Sequence, residues 1–77
     1  MDSLQATFRL SGGLLVWRKD LESLRELAER HGLEFDCETH RRPLSMALVV
    51  RVRGSLRSIN AFREQMPHVT SSFPVGG

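Results

Sequence analysis

Cysteine and histidine are the residues of this sequence that could bind a metal ion or attack a substrate. Cys37 and His40 are separated by two residues, and the other histidines are His31 and His68. An alternating strand pattern places Cys37 and His40 on opposite faces, where one ion cannot easily reach both. No base stands beside Cys37 to favour its thiolate. The sequence therefore predicts no metal, no cofactor, no catalytic residue and a protein that is not an enzyme.

Charged side chains at alternate positions are a second candidate. Every second residue in Glu34–Glu38 is acidic, and Arg51 and Arg53 lie on the strand predicted beside it. Cross-strand pairs of opposite charge contribute roughly 0.2–1 kcal/mol each, so these residues are interpreted first as a solvated face. With Trp17, the two arginines are also the residues predicted to contact a partner.

Length and composition set limits on what these residues can do. The chain has 77 residues, 40% of them hydrophobic and 26% charged, with a net charge of +2. We expect one domain over residues 1–77, and a domain of this size has little room for an enclosed cleft. No apolar run long enough to span a membrane and no signal peptide is visible. The single cysteine fits a reducing, cytoplasmic location.

Alternating apolar and polar residues predict four strands. These are Leu4–Leu10, Leu33–His40, Leu44–Arg53 and Val69–Val75. A helix is predicted over residues 20–31, with Asp20 as its N-cap and Gly32 closing it. A second helix is predicted over Ser55–Met66, ended by Pro67.

The order of these elements predicts the architecture. Strand, helix, strand, strand, helix, strand is typical of an α+β fold, the βαββαβ ferredoxin-like sandwich. We expect a four-stranded antiparallel sheet with two helices on one face and the other face open. The apolar segment Leu14–Trp17 fits no element. A loop is favoured there over a second strand that pairs back through Gly12-Gly13.

The open face of the predicted sheet argues against a nucleic-acid partner. RNA-binding domains of this topology stack bases on aromatic side chains of the central strands. None of the corresponding positions is aromatic, and they are Thr7, Arg9, Ala47, Val49 and Arg51.

Several short segments together resemble a known class of domain. They are Gly13-Leu14-Leu15 before the first helix, Gly32-Leu33-Glu34-Phe35 after it, and the Ser55–Met66 helix. Over nearly the whole chain this resembles ACT-like, ferredoxin-like regulatory domains. The resemblance implies a regulatory or dimerising module that binds a protein partner or itself. The sheet edges Leu33–His40 and Val69–Val75 are where we expect that contact.

The end of the sequence suggests an alternative function. The last two residues are Gly76 and Gly77, and this ending is similar to the tails of ubiquitin-like sulfur carriers. That resemblance implies a carrier or modifier protein whose Gly-Gly tail is adenylated and thiocarboxylated. It would also require Leu14–Trp17 to be a strand paired with Leu4–Leu10, as in β-grasp proteins.

Overall fold

A computed structural model describes residues 3–71 and 73–74 of the chain. These residues form three long strands, two helices and one strand of two residues. In chain order they are β1 (Leu4–Gly13), α1 (Trp17–Arg30), β2 (Glu34–Arg41), β3 (Ser45–Gly54), α2 (Leu56–Val69) and β4 (Phe73–Pro74).

Strand β3 is the centre of the sheet. It pairs antiparallel with β1 on one side and with β2 on the other, so that Val50 lies between Phe8 and Cys37. The two residues of β4 pair with Leu10 and Ser11 at the outer side of β1. Because side chains alternate along a strand, one face of the sheet is directed toward the helices and the other is left open.

The predicted βαββαβ ferredoxin-like sandwich is wrong, because Val69–Val75 does not form the full fourth strand. Its first residue ends α2, and its last lies outside the described residues. Of the described residues in this segment, only Phe73–Pro74 pair with β1. The Ser71 amide donates to Asp20 Oδ1 at 3.1 Å, and Pro74 has no amide hydrogen to donate. The architecture is an antiparallel sheet of three full strands with two helices, in the order β, α, β, β, α, and the two residues of β4 extend the sheet only at Leu10 and Ser11.

The core lies between the helices and one face of the sheet. Its fully buried large side chains are Leu10, Leu24, Leu27, Leu48, Val50, Val52 and Phe62. Helix α2 also places Phe62 against Phe8, with ring centroids 5.8 Å apart and ring planes tilted by 45°. Such aromatic pairs contribute about 0.5–1.5 kcal/mol beyond the burial of their surface.

Helix α1 begins before the predicted N-cap. It starts at Trp17, and Val16 occupies the N-cap position without a side-chain hydrogen bond to the first turn. Asp20 is instead a buried residue of that turn. The loop predicted for Leu14–Trp17 is confirmed as far as Val16, whereas Trp17 is helical and half-buried.

Helix α2 begins as predicted and ends later. The Ser55 hydroxyl accepts a hydrogen bond from the Ser58 amide at 3.1 Å, which confirms the N-cap. The helix then runs through Pro67 to Val69, so the predicted end at Met66 is wrong. A proline in the last turn removes one helical hydrogen bond, and its fixed φ is compatible with helical backbone.

Gly32 closes α1 in the left-handed region, with φ of 70°. A Cβ at this position would meet no atom within 4 Å, so a larger residue is opposed by backbone strain alone. We therefore expect Gly32→Ala to lower the free energy of unfolding by about 1 kcal/mol. Gly32→Asn should cost less, because asparagine tolerates this conformation better than alanine does. Urea unfolding curves measure both, and an alanine variant as stable as the parent would contradict this account.

Candidate functional site

Acidic and arginine side chains of β2 and β3 share the open face of the sheet with His40. We call them the charge ladder, which consists of Glu34, Asp36, Glu38, His40, Arg51 and Arg53. The register sets Asp36 opposite Arg51 and Glu34 opposite Arg53. The Arg53 Nη2 to Glu34 Oε1 distance is 3.3 Å. The predicted pairing of the acidic strand with these arginines is therefore confirmed.

Arg51 is the centre of the charge ladder, since it contacts two carboxylates at once. Its Nη1 donates to Asp36 Oδ2 at 3.2 Å, and its Nη2 donates to Glu38 Oε1 at 2.8 Å. The other oxygen of Glu38 lies 3.3 Å from His40 Nε2. The Arg51 guanidinium thus contacts two alternate residues of β2, and the His40 imidazole continues the row of contacts to the next residue on the same face.

These contacts shift the pKa values of the groups involved. The hydrogen bond and the charge of Arg51 lower the pKa of Glu38, and the hydrogen bond with His40 lowers it further. The same hydrogen bond with Glu38 raises the pKa of Arg51. Both groups are therefore charged at neutral pH. Because the pairs are solvent-exposed, they add little to stability.

Removing Arg51 tests this assignment. In Arg51→Gln, we expect the pKa of Glu38 to rise toward its ordinary value of 4.5. In the parent, the pKa of Glu38 is lower in the folded state than in the unfolded state. The stabilisation that its contacts give is therefore complete above the pKa of the unfolded state, and it is lost as the pH falls through the pKa of the folded state. The variant should accordingly lose less stability on acidification below pH 4.5 than the parent does.

Carboxyl ¹³C NMR titration measures the pKa directly. Arg53→Gln is the matched control, because Arg53 contacts Glu34 and should leave Glu38 unchanged. A Glu38 pKa that moves equally in both variants would show that general charge, and not the Arg51 contact, sets its value.

The structure does not bring Cys37 and His40 together. Cys37 lies on the helix side of β2, half-buried against the core, and His40 lies on the open face. Burial, and then the nearby charge of Asp36, raise the pKa of the Cys37 thiol, which makes it a poor nucleophile and a poor metal ligand. Within residues 3–71 and 73–74, no group of three or more His, Cys, Asp or Glu side chains could hold a metal ion.

The open face also contains a shallow hollow of about 570 Å³. Its lining includes the short side chains of Ala47 and Val49 and the longer, charged ones of Arg9, Arg42 and Arg51. Such a surface suits contact with another chain better than enclosure of a small substrate.

The predicted contact residues are divided between two places. Arg51 and Arg53 belong to the charge ladder on the open face. Trp17 lies at the start of α1, with the Arg18 guanidinium 5.2 Å from the centre of its ring. The structure therefore does not unite these three residues in one site.

The strand required by the sulfur-carrier resemblance is not formed. Residues 14–16 are a turn, and β1 pairs with β3 through the register that begins with Leu4 opposite Gly54. Gly76 and Gly77, the predicted functional tail, lie outside the described residues. The carrier function stays a prediction.

Two exposed leucines were not among the predicted contact residues. Leu15 is 99% exposed and Leu44 is 87% exposed. The alternation predicts Leu44 as an inward residue of its strand, but β3 begins one residue later at Ser45. The available signal was Leu15 in a segment that fits no element and Leu44 directly after Pro43, a residue typical of turns.

Comparison with known proteins identifies the fold and no family. No protein family model matches the chain, and neither does any curated protein. Among solved structures, the de novo designed protein Foldit4 is similar, with a TM-score of 0.77 and 18% sequence identity. The similarity covers 87% of this chain and 79% of that chain. At this identity the likeness concerns the fold alone, so the resemblance to ACT-like domains stays a prediction.

The chain therefore belongs structurally to the small α+β proteins. None of the helices in the described part of the chain is long and apolar enough to cross a membrane.

Proposed function

We propose that this chain is a non-enzymatic interaction module that binds a protein by adding the partner's strand to the outer edge of β2. The observation that carries this is the position of β2 at one edge of the sheet, where, within residues 3–71 and 73–74, it pairs with β3 alone. An edge strand presents alternate unpaired N–H and C=O groups to another extended chain. Strand addition uses those groups for affinity and the alternating side chains for specificity.

The two sides of β2 define the chemistry of the partner. On the helix side, Phe35 and Cys37 are half-buried and leave an apolar margin beside the core. On the open side, the acidic residues of the charge ladder are exposed. A partner strand that alternates apolar with basic residues satisfies both sides, because opposite charges on neighbouring strands attract.

Self-association through β2 is disfavoured by the same acidic residues. In an antiparallel pair of two β2 strands, side chains on the same face stand opposite each other. The central alignments then set Asp36 or Glu38 against a carboxylate of the second copy. Like charges directly opposite are destabilising, so the edge favours a different protein over a second copy of this chain. The free thiol of Cys37 supports a reducing, cytoplasmic setting for this function.

A pair of model peptides tests the proposal. One peptide alternates valine with lysine and the other alternates valine with glutamate, and each is added to the ¹⁵N-labelled full chain. We expect the lysine peptide to shift the amide signals of β2 and slow their hydrogen exchange, while the glutamate peptide does neither. Amide signals of β2 that do not change with the lysine peptide, or that change equally with both peptides, would overturn the proposal.

Two charge reversals sharpen the result. Glu38→Lys should weaken binding of the lysine peptide, whereas Glu64→Lys, on an exposed position of α2, should not. Sedimentation equilibrium of the chain alone should give a monomer. A dimer that is broken by mutation of β2 would instead assign the edge to self-association.

A further inference from the structure

The two most exposed leucines, Leu15 and Leu44, lie at one end of the molecule. Leu15 lies in the turn between β1 and α1, and Leu44 lies in the hairpin between β2 and β3. Gly13 pairs with Ser45, so these two loops are neighbours at the same end of the sheet. Together with Val16, which is 40% exposed, we call these side chains the leucine tip.

Cations surround the leucine tip. Arg18 and Lys19 lie in the first turn of α1, Arg41 ends β2, and Arg42 lies in the hairpin. Among residues 3–71 and 73–74, none of these four forms an ion pair. Positive side chains in the first turn also oppose the helix dipole, which is unfavourable for the isolated fold. Asp20, the acidic residue of that turn, is buried and bonded to Ser71, so the exposed charges of this turn and of the hairpin are positive and suit an anionic partner.

The shape of this end decides between kinds of partner. A strand of ten residues spans about 33 Å, so the strands run along the 42 Å axis of the molecule and the tip lies at one end of it. Across that axis the whole molecule measures only 19 × 18 Å between Cα atoms, so its end presents a narrow surface and not the broad patch of ~800 Å² from each partner that a stable protein complex buries. The leucines also project from separate loops, and neither lines the hollow on the open face.

We propose that the leucine tip inserts shallowly into the surface of an anionic lipid bilayer. The leucines would enter the boundary of the acyl chains, while the four cations contact the phosphates of the headgroups. Trp17, which follows Val16 and is half-buried against the core, has the amphipathic ring that is enriched at the interface of a membrane. Strand β2 runs along the long axis away from the tip, so its outer edge stays free for a protein partner.

Vesicle binding of the full chain tests this inference. Vesicles of phosphatidylcholine alone are compared with vesicles that also contain phosphatidylglycerol, by co-sedimentation and by the fluorescence of Trp17, the single tryptophan of the chain. We expect binding to the anionic vesicles, a shift of Trp17 emission to shorter wavelength, and weaker binding as salt is raised.

Matched variants locate the contact. Leu44→Ser should weaken partition by about tenfold and Leu15→Ser combined with Leu44→Ser by about a hundredfold. Leu56→Ser is the control, because Leu56 is 58% exposed at the opposite end of the sheet. Likewise, Arg42→Ser should weaken binding about fivefold, and Arg57→Ser, in the first turn of α2, should not.

Three results would overturn the inference. One is no binding to anionic vesicles at low salt. Another is binding that the two leucine substitutions leave unchanged. The third is an affinity for soluble polyglutamate that equals the affinity for vesicles and is unchanged by the leucine substitutions. That result would indicate an acidic protein as the partner of this end.

Discussion

Phe62→Ala is expected to lower the free energy of unfolding by about 3–5 kcal/mol. Phe62 is fully buried, and its ring contacts that of Phe8 across the interface between α2 and the sheet. Truncation removes the transfer free energy of the ring, leaves a cavity and ends the aromatic pair. Since small domains are stable by only about 5–15 kcal/mol, this one change removes a large part of the total.

Guanidinium chloride unfolding followed by circular dichroism measures the loss. Leu56→Ala is the matched control on the same helix, because Leu56 is largely exposed and should change stability by no more than about 0.5 kcal/mol. If both variants lost the same amount, the core would not lie between α2 and the sheet as described.

Asp20→Ala is expected to lower the free energy of unfolding by about 1.5–3 kcal/mol. Asp20 is only 4% exposed, and its carboxylate accepts hydrogen bonds from the Ser71 amide and hydroxyl, each at 3.1 Å. These bonds fasten the chain after α2 to the first turn of α1, directly before Phe73–Pro74 reach β1. Their loss should also free that segment from the sheet.

A weaker variant provides the comparison. Ser71→Ala removes the hydroxyl bond and keeps the amide bond, so it should cost about 0.5–1.5 kcal/mol. Unfolding curves give both values, and the amide signals of Ser71 and Phe73 report whether the segment is released. A larger loss in Ser71→Ala than in Asp20→Ala would contradict this role of the carboxylate.

Local patterns predicted the elements that local contacts determine. The alternation of β2 and β3 gave the charge ladder correctly, because a hairpin places Asp36 near Arg51 whatever the rest of the chain does. The apolar stripe of the second helix likewise identified Phe62 as a core residue, which it is. In both cases the pattern repeats over several residues or helical turns, so one ambiguous residue does not change the predicted element.

The errors concern contacts between distant parts of the chain. Asp20 reads as an N-cap, but its partner Ser71 is 51 positions away and only the complete fold brings the two together. Val69–Val75 alternates as a strand would, yet α2 continues into it because Pro67 is tolerated in a last turn. The leucine tip was missed for a similar reason. Its exposure depends on where β1 ends and where β3 begins, and alternation defines those positions only to within a few residues.

The even spacing of acidic residues in β2 would allow a second register against β3, and Pro43 disfavours it. If β2 moved by two residues, Glu38 would face Arg51 and Asp36 would face Arg53, and every side chain would keep its side of the sheet. The charge pairs do not distinguish the two registers, so the hairpin loop must determine which one forms. In the observed register the Arg42 amide donates a hydrogen bond to the Ser45 carbonyl at 2.9 Å. The shifted alignment would bring Pro43 into the ladder, where it has no hydrogen to donate. Pro43 therefore disfavours the shifted register and keeps β2 in the observed one, although both registers pair the acidic residues with the arginines equally well.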